Sequence, residues 1–456
     1  MSCGRFPFQT TPFSRHSTQP KASFYYLFVY GVSVRSVWRS NSCSFHSLAV
    51  QFRLGYNSSM SVTVAFIVGI MLSPRSFTLH GNLIGQLGSA SLGLILLGMA
   101  VHFLTILSYR EICGRSPIVR RDVGYLKRVI GTGPTLLITL GSRLLFTLTA
   151  SVSILAIAGY VFNEVFLYWF PNLGFSFLLL GVLLLFNCFG VRVSGKVQVG
   201  LVALSLLGLV ALILYALLVH GGRFSEQTPG ILSGIKILSV SRTILILCIG
   251  FDLAGVFDDV LGKTPYSPIR IMVCGMVIIT VVFFFWGWVS MKFVPLDRLS
   301  ETTVPHMVTA GAVLGQPGRM VMGIVLLAAS VSSVNGLLLG TSKLVSEMAD
   351  QDLLPNILKR SFSQLPLSLI LLVFGIGTLL YLGMAGKPVL ELFIQAGLCL
   401  WLLYYGALHL AVLLKKKSSQ SHQNQVRSTS SSLIQVFGMV IFLIAFLMLV
   451  SYNWVL

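Results

Sequence analysis

The chain has 456 residues, of which 55% are hydrophobic and only 10% charged, with a mean hydropathy of +0.87. Soluble domains carry charge on about a quarter of their residues, so a water-soluble globule is excluded and the class is membrane. The net charge of +19 is no nucleic-acid signature, because membrane insertion depends on where the cations lie rather than on their sum.

Residues 1–59 contain six Lys/Arg, no Asp or Glu, and many Ser and Phe. This fits neither a packed domain nor a clean signal peptide. A cytoplasmic tail, an organelle transit segment and an upstream translation artefact with the true start near Met60 are the competing readings. The apolar stretch from Phe24 to Val34 is too short to span a bilayer. Asn57-Ser58-Ser59 is a glycosylation sequon that would be idle on the cytoplasmic side.

A crossing helix needs about 20 mostly apolar residues, and the chain offers eleven such runs. Their expected limits are 61–80, 84–109, 134–162, 172–190, 197–219, 238–258, 270–291, 320–346, 366–384, 390–414 and 432–454, numbered here as spans 1 to 11. With the N-terminus inside, 23 Lys/Arg fall on cytoplasmic segments and 7 outside, while Arg143 and Arg242 lie within spans. The bias supports a cytoplasmic N-terminus and places Leu456 outside. Four segments follow: a basic extension over 1–59, a ten-helix core over 60–414, a basic cytoplasmic loop over 415–431 and an added helix over 432–456.

Span 1 reads Phe66-Ile67-Val68-Gly69-Ile70-Met71-Leu72-Ser73-Pro74. Glycine loosens the helix and proline removes a donor, so an interruption here would expose amides and carbonyls that a substrate carboxylate could satisfy. The alternative is close helix packing at Gly69 and a simple stop at Pro74.

Span 6 carries Gly250-Phe251-Asp252, then Gly255, Asp258 and Asp259. An acid well inside a span costs about 2.5–3.5 kcal/mol on insertion scales, so Asp252 asks for a use. It could be a protonatable gate coupling proton uptake to solute movement, a cap on the amides of a broken helix, or a partner of Arg143. Asp258 and Asp259, at the cytoplasmic end, could hold Lys263, Arg270 or the basic loop after span 2, or be solvated end charges.

Span 8 carries Ser330, Ser332, Ser333, Asn335, Gly336 and Gly340. Spacings of three and four put most of them on one small, polar side, which suits helix packing or contact with an ion or substrate. The seven cysteines show no ligand spacing and suit buried apolar positions. His80, His102, His220 and His409 have no partners at ligand spacing, so neither a metal site nor a cofactor is expected. The absence of P-loop, HExxH and GxSxG motifs argues against an ATP-driven pump or a membrane hydrolase and leaves gradients or exchange as the energy source.

From about residue 60 onward the chain resembles the amino acid, polyamine and organocation transporter superfamily. The likeness rests on Ser332-Ser333-Val334-Asn335-Gly336, Ser342-Lys343 and Met348 to Pro355 around the exit of span 8, on Ser108-Tyr109-Arg110-Glu111 and Gly124 to Gly131 between spans 2 and 3, and on Gly250-Phe251-Asp252 with Pro265 and Pro268. The resemblance implies an all-α polytopic bundle of about 11 helices built as a five-plus-five inverted repeat, the leucine-transporter fold, with substrate between broken spans 1 and 6. It further implies that Val68, Gly69 and Ile70 line the substrate carboxylate, that Gly250, Phe251 and Asp252 face its amino end, and that Asp252, Ser332, Ser333 and Asn335 serve coupling or gating. Ile67 stands where the family pattern has the first of two glycines. Ser205 aligns with a coupling lysine of some relatives. The chain ends after eleven helices, where twelve are usual.

The resemblance implies a secondary transporter, not an enzyme, of a small-molecule substrate (an amino acid or amine) in the lipid bilayer of the cell membrane. Proton or sodium coupling stays open, and nucleic acid is not a partner. Two other readings stand beside it: a non-transporting receptor or assembly subunit on the same scaffold, and a carrier of another organic or inorganic ion.

Overall fold

A computed structural model describes residues 60–113, 119–219, 243–261, 268–362, 365–418 and 425–453. The segment 1–59 with its sequon, Lys263, Pro265 and the middle of the 415–431 loop lie outside the described residues.

The architecture is an all-α membrane bundle. Among the described residues six helices are long and apolar enough to cross a bilayer alone: Ala90–Ile112, Thr132–Val165, Val191–Leu218, Pro268–Phe293, Pro305–Asp350 and Pro388–Leu414. Met60–Met71 and Pro74–Leu87, set at 54° to one another, make a bent seventh, and the shorter apolar helices Asn172–Cys188, Thr243–Phe257, Leu367–Tyr381 and Ser432–Met448 stand at spans 4, 6, 9 and 11.

The span 1 break follows from three residues. Pro74 has no N–H to donate and pushes the preceding residue into extended backbone, and Ser73 indeed sits at φ −89, ψ 154. Its hydroxyl oxygen then accepts from the Ser76 N–H at 3.1 Å and caps the second half-helix. Gly69 stays helical, so the interruption falls at Leu72-Ser73 rather than at the glycine. The span 6 break is made by glycine: Gly250 has φ 113, a left-handed conformation, and a 3-10 turn over Phe251–Leu253 leads into the helix Ala254–Leu261.

Two other irregularities shape the bundle. Span 3 passes through a π turn at Gly141–Leu145, a device that inserts one residue and re-aims its side chains. The helix containing span 8 starts earlier than its hydropathy suggests, at Pro305, and kinks at Gly315 (φ 65), two residues before Pro317. Its first turns and the helix Leu296–Glu301 pack on the second half of span 1 at two glycines. A Cβ on Gly81 would lie 2.4 Å from Pro305, and one on Gly85 would lie 2.3 Å from the Ser300 nitrogen.

The amphipathic helix Val119–Ile130 closes one end of the bundle. Val123 packs with Leu344, Met348 and Leu353 at the exit of span 8, and the Tyr125 hydroxyl donates to the Ala411 carbonyl at 3.1 Å. The helices Pro388–Ser418 and Gln425–Asn453 run into the 415–431 segment from both sides.

Span 11 is joined to spans 2 and 10 by a buried polar contact. His409 Nδ1 lies 2.7 Å from Gln435 Oε1, and Ser108 Oγ donates to the same oxygen at 2.7 Å. Gly438 makes this approach possible, because a Cβ there would lie 2.4 Å from the His409 ring. Gly438→Leu is therefore expected to cost about 1–3 kcal/mol through overpacking and to free span 11 first. Protease accessibility of the C-terminal helix, compared with that of the core, would show it.

Candidate functional site

The two breaks meet. Ile70, in the last turn before the span 1 break, packs against both Gly250 and Gly336: a Cβ on either glycine would lie 2.6 Å from Ile70 side-chain carbons. Ser333 donates to the Ile70 carbonyl at 3.3 Å, so spans 1, 6 and 8 converge on this residue. Below it, Phe66 and Phe257 stack with centroids 4.2 Å apart.

Asp252 and Arg143 face each other across the bundle as an ion pair, with side chains 2% and 3% exposed respectively. The π turn of span 3 aims the guanidinium, and the 3-10 turn of span 6 aims the carboxylate. Tyr405 of span 10 donates to the second Asp252 oxygen at 2.9 Å. The guanidinium also donates to Ser142 Oγ at 2.7 Å and lies over the Tyr404 ring at 3.7 Å and the Trp401 ring at 4.6 Å. Phe251 stacks on Tyr405 at 5.5 Å. Both carboxylate oxygens and both terminal guanidinium nitrogens thus have a partner, and such partners are what allow two buried charges to be kept. Of the three uses open to Asp252 from its position alone, the geometry has pairing with Arg143.

A second polar cluster lies behind span 1. Gln198 of span 5 donates from Nε2 to the Ser332 hydroxyl (2.8 Å), the Ser332 carbonyl (3.1 Å) and the Ala65 carbonyl (3.3 Å). Its Oε1 accepts from Asn335 Nδ2 at 3.0 Å. Asn335 also donates to Ser194 Oγ and accepts from Asn187 Nδ2, both at 3.0 Å. Gly69 lets Gln198 and Ser332 meet, since a Cβ there would lie 2.0 Å from Ser332 Oγ and 2.4 Å from Gln198 Nε2.

The residues singled out in the sequence therefore separate into groups. Ile70, Gly250 and Ser333 come together at the two breaks, and Phe251 and Asp252 turn toward Arg143 and span 10. Gly69, Ser332 and Asn335 belong with Gln198, so Gly69 faces spans 5 and 8 rather than span 6. The Val68 carbonyl accepts from the Leu72 N–H at 2.8 Å within its own helix. Ser205, the position aligned with a coupling lysine, instead bonds the Leu201 and Val325 carbonyls at 3.0 and 3.3 Å. Gln198, seven residues earlier, is the span 5 side chain that reaches spans 1 and 8. Ile67, where a glycine was expected, turns its bulk toward span 7, where Gly275 makes room: a Cβ on Gly275 would lie 2.9 Å from Ile67 Cγ2.

In the first turn of the half-helix that follows the break, Arg75 forms an ion pair with Glu391, at the start of span 10, and a second nitrogen donates to the same carboxylate at 2.8 Å. Glu391 and Tyr405 lie on one helix, so a rise of 1.5 Å per residue sets the two ion-paired layers roughly 21 Å apart. Gln198, Asn187, Ser194, Tyr405 and the Arg75–Glu391 pair went unmarked in the sequence. The available signal was an isolated amide, hydroxyl or charge within or beside an apolar run.

Residues 58–454 match the amino acid permease family. Among curated proteins, none matches the chain.

Proposed function

This chain belongs to the amino acid permease family and is a multi-pass membrane transporter of amino acids or similar small organic molecules; we propose that it moves them by alternating access, as a symporter or exchanger, in the cell membrane with its N-terminus cytoplasmic. The observation that carries this reading is the meeting of two interrupted spans at Ile70 and Gly250. A broken helix leaves backbone groups without intrahelical partners inside the membrane, and such backbone persists only where protein or a ligand-bearing cavity satisfies it. In a five-plus-five repeat spans 1 and 6 would head the two halves, and among the described residues span 1 bends by 54° between half-helices while span 6 turns at Gly250 into a 3-10 segment.

In this reading the two ion-paired layers are closures on either side of the solute. The Arg75–Glu391 pair, partly exposed, would open toward one side, and the Arg143–Asp252–Tyr405 group toward the other. Alternating access needs two packings that differ by only a few kcal/mol, and ion pairs that reform elsewhere meet that need.

The test is flux. Purified protein in proteoliposomes is expected to take up or exchange labelled amino acids with saturable kinetics, and Asp252→Asn to lower the rate by roughly tenfold or more. A chain that moves no amino acid or amine saturably, although folded, would instead be a scaffold or receptor subunit.

A further inference from the structure

The group around Arg143 has the composition of a binding site for an organic cation. A guanidinium is recognised by a carboxylate that accepts its N–H bonds and by aromatic rings that cover its plane. Both are present. The guanidinium pairs with the Asp252 carboxylate, donates to Ser142 Oγ at 2.7 Å, and lies 3.7 Å from the centre of the Tyr404 ring and 4.6 Å from that of Trp401. Tyr405 holds the other carboxylate oxygen at 2.9 Å, and the Phe146 ring meets Trp401 edge-on at 5.4 Å. Gly141 lets span 3 come this close to span 10, since a Cβ there would lie 2.4 Å from Leu400 Cδ1. The cation in the cage belongs to the chain itself.

We propose that Arg143 sets the charge selectivity of solute movement: it fills an organic-cation cage at the junction of spans 3, 6 and 10, so that the chain rejects solutes of net positive charge and accepts neutral or anionic ones. A cationic solute can take the cage only by evicting Arg143. That would leave a guanidinium 3% exposed without its carboxylate, and an unpaired buried charge costs more than the exchange of one cation for another returns. Where the layer opens, the tethered guanidinium still competes for Asp252 at an effective concentration of about millimolar or more. The neighbouring groups offer a cation nothing further. Both Asp252 oxygens are engaged, and the buried indole nitrogen of Trp401, without a hydrogen-bond partner among the described residues, is a donor. Specificity of this kind works by repulsion and unmet charge against the wrong solute rather than by added contacts to the right one.

The inference rests on the transport reading and narrows it, and its test separates the two. In proteoliposomes, wild-type protein is expected to take up labelled neutral or acidic amino acids, while arginine, lysine and agmatine should neither enter above the protein-free background nor compete when in excess. Arg143→Ala empties the cage and keeps Asp252 and the aromatic rings. About 10 mM ethylguanidinium should raise its melting temperature by several degrees over sodium chloride of equal ionic strength, because a ligand bound only by the folded form stabilises it. The same addition should leave the wild type, and Arg143→Ala combined with Asp252→Asn, within about one degree. Saturable wild-type uptake of any of the three cations overturns the proposal, as does folded Arg143→Ala protein that ethylguanidinium does not stabilise. If that variant does not fold, the wild-type uptake series decides. If no solute moves at all, the transport reading fails, and the melting comparison still tests the cage.

Discussion

Arg143→Met is expected to destabilise the bundle by about 3–5 kcal/mol, measured by reversible denaturant or thermal unfolding in detergent. The substitution keeps a long apolar stem against Trp401 and Tyr404 but leaves the Asp252 carboxylate 2% exposed with Tyr405 as its remaining side-chain donor. The cost comes from the stranded charge rather than from lost attraction, because desolvation of an unpaired carboxylate outweighs one hydrogen bond. Two further variants separate these terms. Asp252→Asn strands the guanidinium instead, and should cost in the same direction. Combined with Arg143→Met it removes both charges, and the double variant should recover most of the loss. A coupling energy near zero in that cycle would mean that the two side chains do not hold one another in the folded bundle.

Much of this arrangement is legible in the residues, because the bilayer reduces folding to a few strong constraints. Among the described residues the apolar runs fall on helices, six long enough to cross alone, one bent pair and four shorter ones, since a run of that length has no other way to satisfy its backbone in lipid. The break in span 1 is legible in Ser73-Pro74, where a missing donor and a capping hydroxyl are adjacent in the chain. The break in span 6 is less so: Gly250 and Gly255 look alike in sequence, and it is Gly250 that takes the left-handed turn, packed against Ile70. Pairwise chemistry between distant spans is harder still. Arg143 and Asp252 are visible as intramembrane charges, and pairing was one of three uses their positions allowed. Gln198 has no such signature, because one amide in an apolar helix says nothing of the oxygens 133 and 134 residues away that it meets. The exchange of bulk between Ile67 and Gly275 is of the same kind, a compensation between spans 1 and 7 that no local pattern records.

Gly250→Ala isolates what the second break requires, and it is expected to cost about 2–5 kcal/mol. Two independent terms enter. A side chain at φ 113 carries the left-handed penalty of about 1–2 kcal/mol, and the new Cβ would lie 2.6 Å from Ile70 Cγ2, an overpacking worth about 1–3 kcal/mol. The backgrounds distinguish them: with Ile70→Ala in place the clash disappears, and the increment for Gly250→Ala should fall to the backbone penalty alone, about 1–2 kcal/mol. Flux should follow a different order. If the contact between Ile70 and Gly250 is where the two broken spans hinge, Ile70→Ala alone will alter the transport rate while the backbone of span 6 keeps its turn. An increment that is equal in both backgrounds would show that the glycine serves the turn only, and that the two breaks meet without bearing on one another.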